Sequence, residues 1–196
     1  GGRWNFQQGR QQMKVTETVN LDNLKRTDLL AGRGGTIGAS LVASVLNRSP
    51  WADEVDAYNR IVNGWNVPDN KAMRRGRIFE PWIMRLAETA VGLEVRAPWL
   101  TTMVKKDDPR FSASLDGEAI CPVNGRRGVV EIKTASRRSR AWDDGAPDHY
   151  RLQVEHQKWI TGLPTGWLVC LEATDEVFGF IESQTATIYH GVNAHG

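Results

Sequence analysis

Apolar and polar positions alternate most clearly on either side of Asn124-Gly125, where one run ends near Ile120 and the next begins at Val129. Asn-Gly between two such runs is a strong local sign of a two-residue turn, so a β-hairpin is predicted between Phe111 and Thr134. A loosely alternating stretch from Val95 to Val104 precedes it and reads as an edge strand. Trp167-Leu168-Val169-Cys170-Leu171 is apolar throughout, the pattern of a strand buried on both faces, and Val177 to Glu182 reads as a further strand.

Helical spacing occurs in four places. Ala39 to Leu46 follows the glycine-rich turn from Gly32 to Gly38 and reads as a short helix. Pro50-Trp51 opens a second helix running to Asn63, whose stripe of Val55, Tyr58, Ile61 and Val62 reads as structural. Ala72 to Val91 repeats apolar residues at helical spacing and stops at Gly92, while Pro81 inside it predicts a kink or restart beside Glu80. Asp148 reads as the cap of a fourth helix, His149 to Thr161, closed by Gly162 and Pro164. Tyr150, Gln153 and Gln157 share one face of it, and turned inward they require polar partners.

Residues 1–20 are polar and without period, and read as a flexible tail ahead of a single domain over 21–196. Ser136 to Pro147, basic and then acidic, reads as a mobile loop of the kind that carries substrate contacts. Strands and helices interleaved in this way predict an α/β fold.

Composition narrows the class. At 196 residues, with 40% hydrophobic and 24% charged residues, the chain can bury a core and is unlike a disordered sequence. Formal net charge is only +2, so a nucleic-acid surface has to come from local clusters: Arg74-Arg75-Gly76-Arg77, Lys105-Lys106, Arg126-Arg127 and Arg137-Arg138-Ser139-Arg140. Cys121 and Cys170 form no CxxC pattern, which argues against a disulfide framework, a zinc site or an iron–sulfur site. His149 and His156 lack metal-ligand spacing. No run reaches about 18 apolar residues, so a cytoplasmic protein without a membrane partner is expected.

The candidate chemistry lies in the hairpin. A two-residue turn sets Asp116 opposite Lys133 and Glu118 opposite Glu131, gathering three carboxylates and one lysine on one face. Like charges opposed on a sheet cost up to about 1 kcal/mol, and a buried carboxylate stays charged only when paired or bound to a cation. A hard divalent ion removes the conflict, because magnesium prefers carboxylate, carbonyl and water oxygens. The same residues on a solvated surface would be an ordinary mixed-charge strand pair. The glycine-rich turn offers a comparable choice: an anion site at a helix N-terminus completed by Arg33, or a loop capped by Thr36 or Ser40.

Taken in order, Glu80 on a helix, Asp116 on a strand, Glu131-x-Lys133 on the next, and Tyr150-x-x-Gln153 on a following helix resemble the PD-(D/E)XK nuclease superfamily. Within it they resemble the phage lambda exonuclease and YqaJ-like viral recombinase family, over roughly Arg33 to Ala173. Arg33-x-Gly35-x-Ile37-x-Ala39-Ser40 resembles that family's motif for a DNA terminal phosphate, and Gly76-Arg77-Ile78-Phe79-Glu80-Pro81 its glycine-to-glutamate helix. Ser114-Leu115-Asp116-Gly117 matches the acidic motif with Leu115 in place of the usual proline, and Glu131-Ile132-Lys133 matches E-x-K.

The resemblance implies a restriction-endonuclease-like core, a mixed central β-sheet flanked by helices. It implies that Asp116, Glu131, the Ile132 carbonyl and Glu80 hold Mg2+, with Mn2+ able to substitute, and that Lys133 and Gln153 act beside them. Arg33, Ser40, Tyr150 and Arg137 would hold DNA phosphates. The implied activity is 5′-to-3′ exonucleolytic hydrolysis of linear double-stranded DNA in phage-type homologous recombination, in the host cytoplasm if phage-encoded. Implied partners are DNA ends, a single-strand annealing protein and further copies of the chain, although no long helix is read after the last strand. An endonuclease of restriction or junction-resolving type, or a non-catalytic DNA-binding module, are the alternatives on the same fold.

Overall fold

The computed structural model describes residues 17–20, 35–96 and 101–182. Eight strands form two four-stranded sheets among these residues. In the first, β1 (Glu17–Asn20), β4 (Thr101–Val104), β5 (Phe111–Ser114) and β2 (Ile37–Gly38) lie in that order, antiparallel except for β5 and β2. In the second the order is β3 (Glu94–Arg96), β6 (Gly117–Ile120), β7 (Arg127–Ser136) and β8 (Thr165–Ala173), antiparallel except for β7 and β8. Residues 17–20, within the stretch expected as a tail, thus belong to a sheet.

The single edge strand expected from Val95 to Val104 is divided between the two sheets as β3 and β4. The hairpin is divided as well. β5 and β6 are separated only by Leu115-Asp116, where the chain leaves one sheet and enters the other. The turn is longer than two residues: Cys121 N–H donates to Arg126 O (2.8 Å) and Gly125 N–H to Cys121 O (2.9 Å), closing a loop over Pro122 to Gly125. Gly125 sits at φ +67°, in the left-handed region that glycine adopts without steric cost. The register therefore moves by two residues, pairing Gly117 with Val130 and Glu118 with Val129. A shift of two keeps every side chain on its face and changes only its neighbours.

Four helices follow the sequence periods, with different surroundings in one case. A 3₁₀ turn (Ala39–Leu41) leads into α1 (Val42–Val45). α2 (Glu54–Val62) begins with a capping box between Asp53 and Asp56. α3 (Lys71–Val91) is capped by Asn70, runs unbroken through Pro81, and ends at Gly92 in the left-handed conformation. α4 is Asp148–Thr161; Asp148 lies inside its first turn and pairs with Arg48 at 2.5 Å instead of capping it, so Pro147 holds the cap position. Contrary to the structural reading of its stripe, α2 turns Val55, Tyr58 and Val62 to solvent, each more than half exposed, and buries Ala57.

Residues 177–182 are helical, not a strand: a helix, α5, covers residues 175–182. Phe178 is wholly buried there, edge-on to Phe79 at 5.1 Å with the Arg75 guanidinium over its ring. β8 ends the order of its sheet and is half-buried along its length, while the strand enclosed on both faces is β7, from Gly128 to Ile132. One core joins Val129, Val154, Ile160 and Leu115 on the α4 side, and another joins Val130, Ile132, Phe79, Ile83 and Phe178 on the α3 side. The second sheet is therefore flanked by helices on both faces. Among the described residues no helix is long and apolar enough to cross a membrane.

Candidate metal and phosphate site

Where β6 peels away from β7, the N–H of Ile132 loses its strand partner. The Asp116 carboxylate takes the strand's place, accepting that N–H at 2.7 Å. The change of sheet at Leu115-Asp116 thus fixes Asp116 against β7, beside Glu131 instead of Lys133. A cavity of about 260 Å³ opens there, lined by Asp116, Glu131, Ile132 and Lys133 from the sheet, with Glu80, Arg77 and Gly76 from α3. Glu118, opposite Val129, is outside that lining and is ion-paired with Arg127.

Glu131 is the most constrained of these groups. Its side chain is almost fully buried, and one oxygen accepts from the Lys133 ammonium and from Gln153 Nε2 at 2.6 Å. The other accepts from Gln157 Nε2 at 2.5 Å, and the same amide reaches the Ser114 carbonyl at 3.1 Å. The amide stripe of α4 therefore faces inward, and its partner is a carboxylate. Tyr150 sits on the same face, its ring centroid 5.0 Å from Lys133 Nζ. Gln157, fully buried, was visible in the sequence as part of that stripe; its contact with Glu131 was not, because it depends on how closely α4 approaches the sheet.

Electrostatics set these carboxylates apart from surface acids. Burial, then the charge of Glu131, pushes Asp116 up to about 8, against the pull of Lys133 and the Ile132 N–H. Burial and Glu131 also raise Glu80. For Lys133, burial acts to lower the pKa, but Glu131 and Asp116 outweigh it and the ammonium is held charged more firmly than usual. Tyr150 is raised by burial, and His149 is lowered by burial and by Lys133. Three acids face Lys133 and Arg77, and Arg77 is already paired with Asp69, so the cavity is left short of positive charge.

The donor set fits a hard cation in chemistry: carboxylate oxygens with a backbone carbonyl next to them. Among the described residues no three His, Cys, Asp or Glu side chains converge on one point. Magnesium is commonly held by one or two carboxylates plus water, so Asp116 and Glu131 are the pair that could hold one, with Glu80 lining the cavity from the opposing helix.

Of the remaining predicted residues, Ser40 and Arg137 are not among those lining the cavity. Ser40 is exposed on the 3₁₀ turn, and Arg33 lies outside the described residues. Arg137 is exposed on a 3₁₀ turn (Arg137–Ser139) directly after β7. The segment expected as a mobile loop is a series of turns tied by Arg138 to Glu176 (2.8 Å) and Arg140 to Asp143 (2.7 Å). His156 is structural, its ring bonded to Ser112 O at 3.1 Å.

An acidic residue at the junction of two strands, a Glu-x-Lys pair on the strand beside it and a helix of amides behind them are set in a restriction-endonuclease-like α/β fold. The fold matches the crystal structure of an alkaline exonuclease (LHK-Exo) from Laribacter hongkongensis with a TM-score of 0.59 at 20% identity, covering 86% of this chain and 93% of that one. The crystal structure of LHK-Exo in complex with dAMP matches with a TM-score of 0.60, at the same identity and coverage. No curated protein sequence matches the chain. The model of the YqaJ-like viral recombinase domain matches residues 28–164, and the chain belongs to that family.

Proposed function

We propose that the chain is a Mg2+-dependent deoxyribonuclease that degrades linear double-stranded DNA from its 5′ ends, supplying single strands to an annealing protein in recombination. The observation that carries this reading is the Asp116–Glu131–Lys133 group at one cavity, with Asp116 locked to the Ile132 N–H, in a chain of the viral recombinase family. The fold neighbours are exonucleases by description, one of them holding a nucleotide, which supports the same substrate class.

Asp116, Glu131 and the Ile132 carbonyl would hold the cation, and Glu80, which lines the same cavity, would reach a second ion or its water. Mg2+, or Mn2+ in its place, supplies charge neutralisation at the scissile phosphate and a more acidic water. Lys133 is held protonated, which suits it to orient the attacking water and to face developing negative charge, more than to remove a proton. Gln153 and Gln157 keep the Glu131 carboxylate in one orientation. Arg33 and Ser40 would hold the terminal phosphate, which makes the activity depend on an end, and Tyr150 and Arg137 would face DNA beyond it.

Linear and covalently closed plasmid incubated with Mg2+ test this. Digestion of the linear form alone, with a 5′ label released before a 3′ label, is expected, and EDTA abolishes it. Cutting of the closed circle would replace the reading with an endonuclease; no cutting of either form would remove the enzyme.

A further inference from the structure

Next to Lys133, outside the cavity, four aromatic side chains touch. Trp142 stacks on Tyr150 with ring centroids 5.5 Å apart and planes 21° apart. Trp51 lies 5.9 Å from the Tyr150 ring, and His149 stands edge-on to Trp51 at 4.5 Å and 4.1 Å from Tyr150. Trp51 is nevertheless 69% exposed. An indole in water contributes little to a core, yet this one is carefully held. Asn47, at φ +51°, turns the chain after α1, and the Arg48–Asp148 ion pair pins the next residues to the first turn of α4.

What such a surface offers is π-face, and it begins at the ring that Lys133 overhangs. Nucleobases stack on exposed indoles whatever their sequence. A surface arginine reinforces the match, since Arg151 is exposed on α4 directly after Tyr150.

We propose that Trp51 and Trp142, supported by Tyr150 and His149, form a stacking shelf for unpaired bases of the DNA strand whose phosphate enters the cavity. This rests on the nuclease reading for which strand is bound. Paired bases inside a duplex present only edges and its last pair a single outer face; a strand that has frayed at its end presents the faces of several bases, so the shelf would favour an opened terminus.

The test is binding of the full chain, in EDTA, to a short single strand and to an abasic strand with the same number of phosphates. The wild type is expected to prefer the strand with bases by about tenfold or more. Trp51→Ala and Trp142→Ala should each shrink that preference, Trp51→Phe should retain most of it, and Trp82→Ala, a similarly exposed indole outside the cavity lining, should leave it intact. Equal affinity for both strands, or an unchanged preference in Trp51→Ala, overturns the shelf. Because Trp51 is mostly exposed, its truncation tests the idea even if Trp142→Ala fails to fold. Absence of DNA cleavage by the wild type would overturn the nuclease reading and leave this binding comparison to be decided separately.

Discussion

Asp116 shows how one residue serves structure and chemistry at once. Its carboxylate closes a gap in the sheet by taking the Ile132 N–H, and burial among acids raises it to about 8. A carboxyl raised in the folded state stabilises the fold at low pH, below the ordinary carboxylate value near 4. That contribution is lost as pH climbs through 8. In EDTA, the melting temperature of the wild type should therefore fall between pH 4 and 8 relative to Asp116→Asn, which carries no charge to bury. Adding Mg2+ at pH 8 should recover the wild type and leave the variant unmoved, since only an ion that binds the folded state raises its stability. Parallel pH curves for the two proteins would contradict the burial of this charge. Lys133→Ala, in contrast, should lose cleavage and keep DNA binding; unchanged cleavage in a single-turnover assay would remove the lysine from the chemistry.

At the scale of elements, the site depends on the distance between α4 and the sheet, and Gly166 sets it. A Cβ at that position would stand 2.4 Å from Val154 Cγ1 and 3.1 Å from Lys158 Cδ, so α4 would have to retreat and take Gln153 and Gln157 away from Glu131. Gly166→Ala should cost about 1–3 kcal/mol in denaturant unfolding and lower kcat more than it raises KM. Gly179→Ala, in α5 with open space around it, should instead be neutral or stabilising by up to about 1 kcal/mol. None of this closeness is written in the periodicity. Glu80, Asp116, Glu131, Lys133, Tyr150 and Gln153 are candidates in the sequence, the hairpin residues by strand alternation and the helix residues by resemblance to the family's motif order, and the structure brings them to one region. The sequence did not disclose the longer turn at Pro122 to Gly125, since Asn-Gly suits two-residue and longer loops alike. The apolar stripe of α2 announced a helix without saying what would cover it. Val177-Phe178-Gly179-Phe180-Ile181 is an apolar run too short to separate strand from helix; the packing of Phe178 on Phe79 decides it.

Over the whole molecule, the arginine clusters look like a broad DNA surface in sequence and become something narrower when folded. Arg74 and Arg77 share Asp69, Arg75 is held by Asp175 and Glu182, and Arg127 by Glu118. Arg138 and Arg140 are paired with Glu176 and Asp143. Among the described residues of these arginine clusters, Arg126 and Arg137 have no ion-pair partner, and Arg137 follows β7 four positions after Lys133. With a net charge of only +2 and most guanidinium groups among the described residues already paired, the protein should make few phosphate contacts. Each contact to duplex DNA contributes about −0.9 to the slope of log affinity against log salt. Binding to a blunt duplex in EDTA should therefore show a shallow slope, and Arg137→Ala should weaken it uniformly across sequences and reduce its magnitude by about 0.9. Arg138→Ala should change the slope less, because removing it also frees Glu176. A steep slope that Arg137→Ala leaves untouched would mean that the DNA path runs over a different face of the molecule.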